Sequence, residues 1–279
     1  MQRKTPEQAD LRCPRCRDAQ GSGLVRWSDA MSLGCERCGA GFAVLDGVAE
    51  VLREPLTDAP GDPIVGTWLR SDYTTQSLPA GLQPDPPATE LLLPELTPSS
   101  RVLDLGCGTG GATFAVAQRA GFVLGVDIQR DRVAAACALQ QTGRLAEPVA
   151  LDRPELLGAR CDFLVGDAID PPVAGASWDA VVCLNLFDQV DSPGILLGQM
   201  GALLKPGGWL LFACPYQFVP TSPLRNVADP AGDLRHRLDH GTHGTSFDIL
   251  RDEERLWVIP DNARRFFAYR THVVLARRR

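Results

Sequence analysis

The segment Asp104-Leu105-Gly106-Cys107-Gly108-Thr109-Gly110 concentrates the chemistry of this 279-residue sequence. An apolar, strand-like run at 102–105 leads into it, and a helix-like run at 112–120 follows at once. Glycines remove side chains from such a turn, so a ligand approaches the backbone amides closely and meets the positive end of a helix. The result is a cradle for a small molecule. Dinucleotide enzymes space the glycines as G-x-G-x-x-G, with an acidic residue about 20 positions downstream. Here the spacing is D-x-G-x-G-x-G, and Asp127 closes the next strand within Gly125-Val126-Asp127-Ile128. A carboxylate in that place can accept hydrogen bonds from both hydroxyls of a ribose.

A second group of residues suits a metal. Cys13-Pro14-Arg15-Cys16 and Cys35-Glu36-Arg37-Cys38 are C-x-x-C pairs whose spacing matches four-cysteine zinc sites. Two disulfides, or a site that has lost its metal, are the alternatives. Zinc held by four thiolates has no open position, so its role would be structural. The other five cysteines stand singly, mostly in apolar segments, which fits a reducing, cytoplasmic setting.

Stepping outward, residues 100–279 alternate strand-like and helix-like runs, at 101–105, 112–120, 122–127, 130–141, 161–165, 180–184, 193–204 and 209–213. This alternation predicts an α/β fold with a mostly parallel sheet and helices on both faces. The strands are nearly continuous apolar runs, as expected when both faces are covered. Runs at 256–260 and 266–276 could close the sheet as antiparallel strands. Residues 1–53 read as a small zinc ribbon, and residues 54–99 as a proline-rich linker with helical hints at 63–71 and 88–93. No apolar run is long enough to span a bilayer, and the first residues lack the apolar stretch of a signal peptide.

At the glycine turn the sequence resembles the class I S-adenosylmethionine-dependent methyltransferases, and the ordered motifs extend over roughly residues 100–215. Trp178-Asp179-Ala180-Val181-Val182-Cys183-Leu184-Asn185 is similar to that family's fourth strand, and Leu204-Lys205-Pro206-Gly207-Gly208-Trp209 to the turn before its fifth. The resemblance implies a Rossmann-like sheet of seven strands and S-adenosylmethionine as methyl donor. It also implies a donor site made of Asp104, Gly106, Cys107, Gly108, Gly110, Asp127, Ile128, Asp167, Ala168 and Asn185. Asp127 would hold the ribose, and Asp167 would lie beside the adenine. The cysteine segment resembles the Trm112-like zinc ribbon, which implies Zn²⁺ on Cys13, Cys16, Cys35 and Cys38.

Methyl transfer requires the two reactants to be held in line and, for a protonated acceptor, a base. Asn185, Asp188 and Gln189 after the fourth strand, and Tyr216 after the fifth, are candidates for the acceptor side. His243 joins them from a polar stretch containing His236 and His240 that reads as a loop or lid. Asn185-Leu186-Phe187-Asp188 is not the N/D-P-P-Y sequence of base-methylating enzymes. Residues Pro215-Tyr216-Gln217-Phe218 with Thr221-Ser222-Pro223 locally resemble the methyltransferase domain that acts on a thiol-bearing histidine in ovothiol synthesis. Cys107 reads as a small residue packed under the cofactor.

The formal charge of −6 disfavours a surface that grips nucleic acid throughout, although arginines cluster at Arg12, Arg15 and Arg17 and at Arg277, Arg278 and Arg279. The leading expectation is a methyltransferase acting on a small-molecule acceptor. An RNA- or protein-directed methyltransferase whose ribbon docks the substrate is the first alternative, and a non-catalytic cofactor-binding scaffold the second. No feature of the sequence sets an oligomeric state.

Overall fold

The computed structural model describes residues 9–18, 21–29, 32–56, 84–145, 150–241, 244–262 and 265–279. The helical hint at 63–71 and His243 lie outside them. Strands β1 (Val25–Trp27), β2 (Ser32–Cys35), β3 (Gly41–Leu45) and β4 (Val48–Glu50) form the cysteine-rich segment. The larger unit contains β5 (Arg101–Leu105), β6 (Phe122–Asp127), β9 (Cys161–Val165), β10 (Trp178–Leu184), β11 (Leu204–Cys214), β12 (Phe247–Asn262) and β13 (Arg265–Arg278). A short pair, β7 (Arg144–Leu145) and β8 (Leu151–Asp152), stands apart from the main sheet.

The main sheet runs β1-β2-β3-β4-β9-β6-β5-β10-β11-β13-β12. From β9 to β12 it contains the expected seven strands: β9, β6, β5, β10 and β11 are mutually parallel, and β13 is antiparallel to both β11 and β12. The total is eleven rather than seven, because the ribbon does not form a separate layer. β4 pairs in parallel with β9, Ala49 opposite Leu164 and Glu50 opposite Val165, and Val51 N–H continues the ladder to the Val165 carbonyl at 2.9 Å. An edge strand left bare would expose a row of unpaired amides, and the ribbon covers it.

Helices α1 (Gly111–Ala117) and α2 (Arg130–Thr142) pack on one face, where Phe114, Val116, Val133, Ala136 and Leu139 meet Val102, Ala180, Val182 and Leu211. Helices α3 (Pro193–Leu203) and α4 (Pro230–His240) cover the other, where Leu196, Met200, Leu234 and Leu238 meet Leu103, Val181, Leu210 and Phe212. Successive strand residues thus enter opposite cores, which explains the unbroken apolar runs. α2 stops at Gly143, whose left-handed φ of 66° lets its N–H reach the Leu139 carbonyl at 2.8 Å. The proline-rich segment contributes two 3₁₀ turns, Ala88–Leu91 and Leu93–Glu95. No helix among the described residues is long and apolar enough to cross a membrane.

The loop expected around His236 and His240 is a helix. Asp229 caps α4 by accepting from Gly232 N–H at 2.8 Å, and Pro230 occupies its first turn. Only Leu234 and Leu238 of α4 are buried, so its sequence reads as polar throughout.

Candidate active site

From β5 the chain steps outward through β6 to β9, and from β10 it steps the other way to β11. The order of the sheet therefore reverses between β5 and β10, and a crevice opens at the carboxyl ends of such strands. The glycine turn leaves β5 on one side of this point, and Asn185 leaves β10 on the other.

Gly106, Gly108 and Gly110 have φ of 74°, 54° and 93°, a region that side chains disfavour. Their reasons for being glycine differ. A Cβ at Gly106 would meet Leu186 at 2.9 Å, and one at Gly110 would meet Phe114 at 2.9 Å. A Cβ at Gly108 would meet nothing within 4 Å, so this residue alone of the three faces open space. Gly106 and Cys107 N–H both bond the Val126 carbonyl, at 2.8 and 3.1 Å, which ties the turn to β6. Asp104, only 2% exposed, accepts from Thr113 Oγ1 at 2.5 Å and links the turn to α1.

Asp127 ends β6 beside this turn. One carboxylate oxygen accepts from Gly108 N–H at 2.9 Å and the other from Gln129 N–H at 2.8 Å. Burial pushes its pKa above the ordinary carboxylate range, against the pull of those two bonds. Ile128 is 44% exposed and gives the edge of the crevice an apolar surface. Asp167 follows β9, its Oδ1 accepting from Ile169 N–H at 3.0 Å, and Ala168 is buried behind it. The Cys107 thiol is buried and pushed well up by desolvation, so it stays protonated and unreactive at neutral pH.

Of the residues expected on the acceptor side, Asn185 takes a left-handed φ of 55°, and its carboxamide oxygen is buried without a hydrogen-bond partner among the described residues. A backbone outlier beside an orphaned buried acceptor is the pattern of a site that waits for a ligand donor. Asp188 is fully buried and differently engaged: it accepts from Gln217 N–H at 2.7 Å and from Gln189 Nε2 at 3.1 Å. Its carboxylate thereby fixes the segment after β11 to the segment after β10. Tyr216, in that fixed segment, is also left-handed, with φ of 58°, and its hydroxyl lies 2.6 Å from His272 Nδ1. His236 and His240 stack on each other along α4, with ring centroids 4.2 Å apart. His272 was not legible as a site residue, because β13 reads as core and Tyr216 is 56 positions away.

The four cysteine sulfurs of Cys13, Cys16, Cys35 and Cys38 lie within 4.8 Å of one another, and no disulfide joins them. Gly23 N–H donates to Cys16 Sγ, and Arg37 and Cys38 N–H to Cys35 Sγ, at 3.4–3.5 Å. Such bonds favour the thiolate form that a metal needs. A Cβ at Gly23 would lie 2.5 Å from Cys35 Sγ, so the knuckle closes only around glycine.

Residues 85–256, more than half of the chain, match the methyltransferase domain family. The chain belongs to that family. The methyltransferase domain contains the glycine turn, Asp127, Asp167, Asn185, Asp188 and Tyr216, whereas the four cysteines and His272 lie outside the matched residues. Among relatives, the ubiquinone biosynthesis O-methyltransferase of Burkholderia thailandensis is 28% identical over 146 residues, 52% of this chain and 56% of that one. Its counterpart in Chromobacterium violaceum is 31% identical over 113 residues, 40% of this chain and 43% of that one. The chain spans about half the length of the curated relatives it matches. The magnesium protoporphyrin IX methyltransferase of Synechocystis PCC 6803 aligns with a TM-score of 0.48 at 19% identity, covering 76% of this chain and 90% of that one. A chain of the Haloferax volcanii complex between the Trm112 methyltransferase activator and a methyltransferase aligns with a TM-score of 0.47 at 19% identity, covering 68% and 88%.

Proposed function

We propose that this methyltransferase moves a methyl group from S-adenosylmethionine to the hydroxyl of a small molecule, and that its four cysteines hold a structural zinc ion. The observation that carries the reading is the open space over Gly108, whose N–H donates to the Asp127 carboxylate at the end of β6. When bound, the donor supplies an electrophilic methyl group. The residues here would hold and orient it: the backbone of 106–110 receives the amino-acid and ribose portions, Asp127 tethers the ribose, and Asp167 with Ala168 lines the adenine side.

Support for a small acceptor comes from the arginines as well as from the acidic charge. Arg12 bonds Asp10, Arg15 lies over Phe42, and Arg17 pairs with Asp170 at 2.7 Å. At the other end Arg277 lies over Trp209, Arg278 bonds the Leu204 carbonyl, and Arg279 pairs with Asp239 and Asp248. Both clusters that could have met phosphates are thus engaged within the chain, which weakens the RNA-directed alternative. The names of the relatives favour an oxygen acceptor. A radiolabelled methyl donor offered separately to small-molecule, RNA and protein fractions tests the proposal. Label in the small-molecule fraction is expected, and label confined to macromolecules would overturn it.

A further inference from the structure

Behind Tyr216 lies a chain of side chains that the donor site does not explain. Tyr216 Oη is 2.6 Å from His272 Nδ1, His272 Nε2 is 3.0 Å from Asp252 Oδ1, and Arg235 Nε donates to Asp252 Oδ2 at 2.7 Å. The four residues come from the segment after β11, from β13, from β12 and from α4. His272 is 1% exposed. The proton positions follow from charge. Burial raises the Asp252 pKa, but the bonds from His272 and Arg235 outweigh it and hold the carboxyl below its usual range. Asp252 is therefore a carboxylate that only accepts, so His272 Nε2 carries the hydrogen, and in that tautomer Nδ1 accepts. Tyr216 must then donate to Nδ1, which leaves its own oxygen lone pairs free to accept. Burial pushes the Tyr216 phenol up, so it remains a neutral hydroxyl that passes a proton on rather than ionising beforehand.

We infer that Tyr216, His272 and Asp252 form a proton relay that removes the hydroxyl proton of the methyl acceptor, with His272 and Asp252 as positioning residues acting through Tyr216. This rests on the methyltransferase reading above. The arrangement repeats the logic of a hydroxyl, imidazole and carboxylate in series, with a phenol in the hydroxyl place. As the acceptor oxygen bonds the methyl carbon, its proton passes to Tyr216 Oη while the Tyr216 proton passes to His272 Nδ1. The carbon–sulfur electron pair stays on sulfur. The positive charge ends on the imidazolium, beside an Asp252 carboxylate that Arg235 holds in place, and solvent later takes the proton.

Tyr216 is also in the right part of the fold. Asp188 holds Gln217 to the segment after β10, and that segment packs Leu186 against Gly106 of the donor turn. Phe218 stands 6.0 Å from Tyr216, centroid to centroid, so two half-buried rings lie together there, backed by the buried Phe187 at 6.1 Å from Phe218.

The test compares wild type with Tyr216→Phe, His272→Gln and Asp252→Asn, using the small-molecule fraction of a bacterial lysate as acceptor and a radiolabelled donor. Each variant is expected to keep donor affinity by calorimetry and to lose roughly 10²-fold or more in turnover near pH 7. Recovery should follow as pH approaches about 10, where a phenolic acceptor ionises unaided. The charged and titratable groups facing Tyr216 and His272 are Arg235 on α4, Asp252 and Glu254 on β12, and Cys214 on β11, so the Arg235→Gln variant controls for their field. Independently, nitrogen NMR of histidine-labelled protein should show His272 as the Nε2–H tautomer, with an Nδ1 signal that moves in Tyr216→Phe. Wild-type turnover with unchanged variants, a loss of equal size at every pH, or an Nδ1–H tautomer would each overturn the relay. Wild type that transfers no label would overturn the methyltransferase reading and the relay with it. Should His272→Gln fail to fold, the other two variants carry the same test.

Discussion

Gly108 donates its backbone N–H to the Asp127 carboxylate at 2.9 Å, so the turn after β5 and the end of β6 form a single edge of the crevice. One buried anion thereby does two things. It holds the left-handed glycine in place through one oxygen, and it fixes Gln129 N–H through the other.

Replacing Asp127 by Ala removes a charged acceptor that the ribose would use. Hydrogen bonds to charged groups contribute about 1.5–3 kcal/mol, and about 1.4 kcal/mol is tenfold in affinity. Donor affinity is expected to fall roughly 10- to 100-fold by calorimetry, and an unchanged value would refute the assignment.

The raised Asp127 pKa makes stability and binding respond to pH in opposite senses. Its folded value lies above its unfolded one, because burial disfavours the charge. Its stabilising contribution is therefore present below the unfolded pKa and is lost as pH rises through the folded pKa. Binding needs the carboxylate, so donor affinity should rise over that same interval. Calorimetric titrations from pH 4 to 8 on wild type and Asp127→Asn check this, the variant being expected to show a flatter dependence.

Gly106 and Gly108 are predicted to fail in different ways when changed to Ala. Both pay about 1–2 kcal/mol for a side chain in the left-handed region. At Gly106 the new methyl also pushes into Leu186, so a larger drop in melting temperature is expected. At Gly108 the methyl enters open space, so the fold should largely survive while donor affinity falls. A Gly108→Ala protein that binds the donor as wild type does would place the donor elsewhere.

Much of this site was legible because its signals are local. β6 and β9 follow directly from the apolar runs at 122–127 and 161–165, and the glycine turn stands where its spacing places it. α4 was missed because two buried leucines among arginines, aspartates and histidines leave almost no periodic signal, although Asp229-Pro230 is a sound helix start. His272 and Asp252 could not be read as partners. They meet Tyr216 only through strand pairing across β11, β13 and β12, and no spacing in the chain reports that register. The ribbon's place at the sheet edge is hidden likewise, since β4 and β9 lie more than a hundred residues apart.

Asp188 is expected to matter for architecture more than for proton transfer. Its two bonds to Gln217 N–H and Gln189 Nε2 fix the segment that carries Tyr216, and the residue is wholly buried. Asp188→Ala removes a buried charged acceptor of two hydrogen bonds, a cost of about 1.5–3 kcal/mol. Chemical denaturation should show that loss together with reduced turnover at every pH, whereas donor affinity should stay close to wild type. A turnover defect that recovers at high pH would instead give Asp188 a part in moving the proton.

The ribbon should influence the donor site through one carboxylate. Asp170 receives Arg17 at 2.7 Å and Arg53 at 2.9 Å, and it lies three residues after Asp167, the residue proposed for the adenine side. Arg12 N–H adds a bond to the Pro172 carbonyl at 2.8 Å, and β4 pairs with β9 immediately before that loop. The Arg53 side chain is 52% exposed, so Arg53→Ala should change little, while the better buried Arg17 should account for at most a few-fold in donor affinity. Removing the proposed zinc is expected to act more strongly. With four thiols no longer held together, β1–β4 lose the centre that folds them, and β9 loses the strand that covers its edge. A chelator, or Cys16→Ser, should therefore lower both the melting temperature and donor affinity, and added Zn²⁺ should restore both after chelation. Metal-free protein, verified by elemental analysis, that melts and binds the donor as before would show that the ribbon contributes nothing to the crevice.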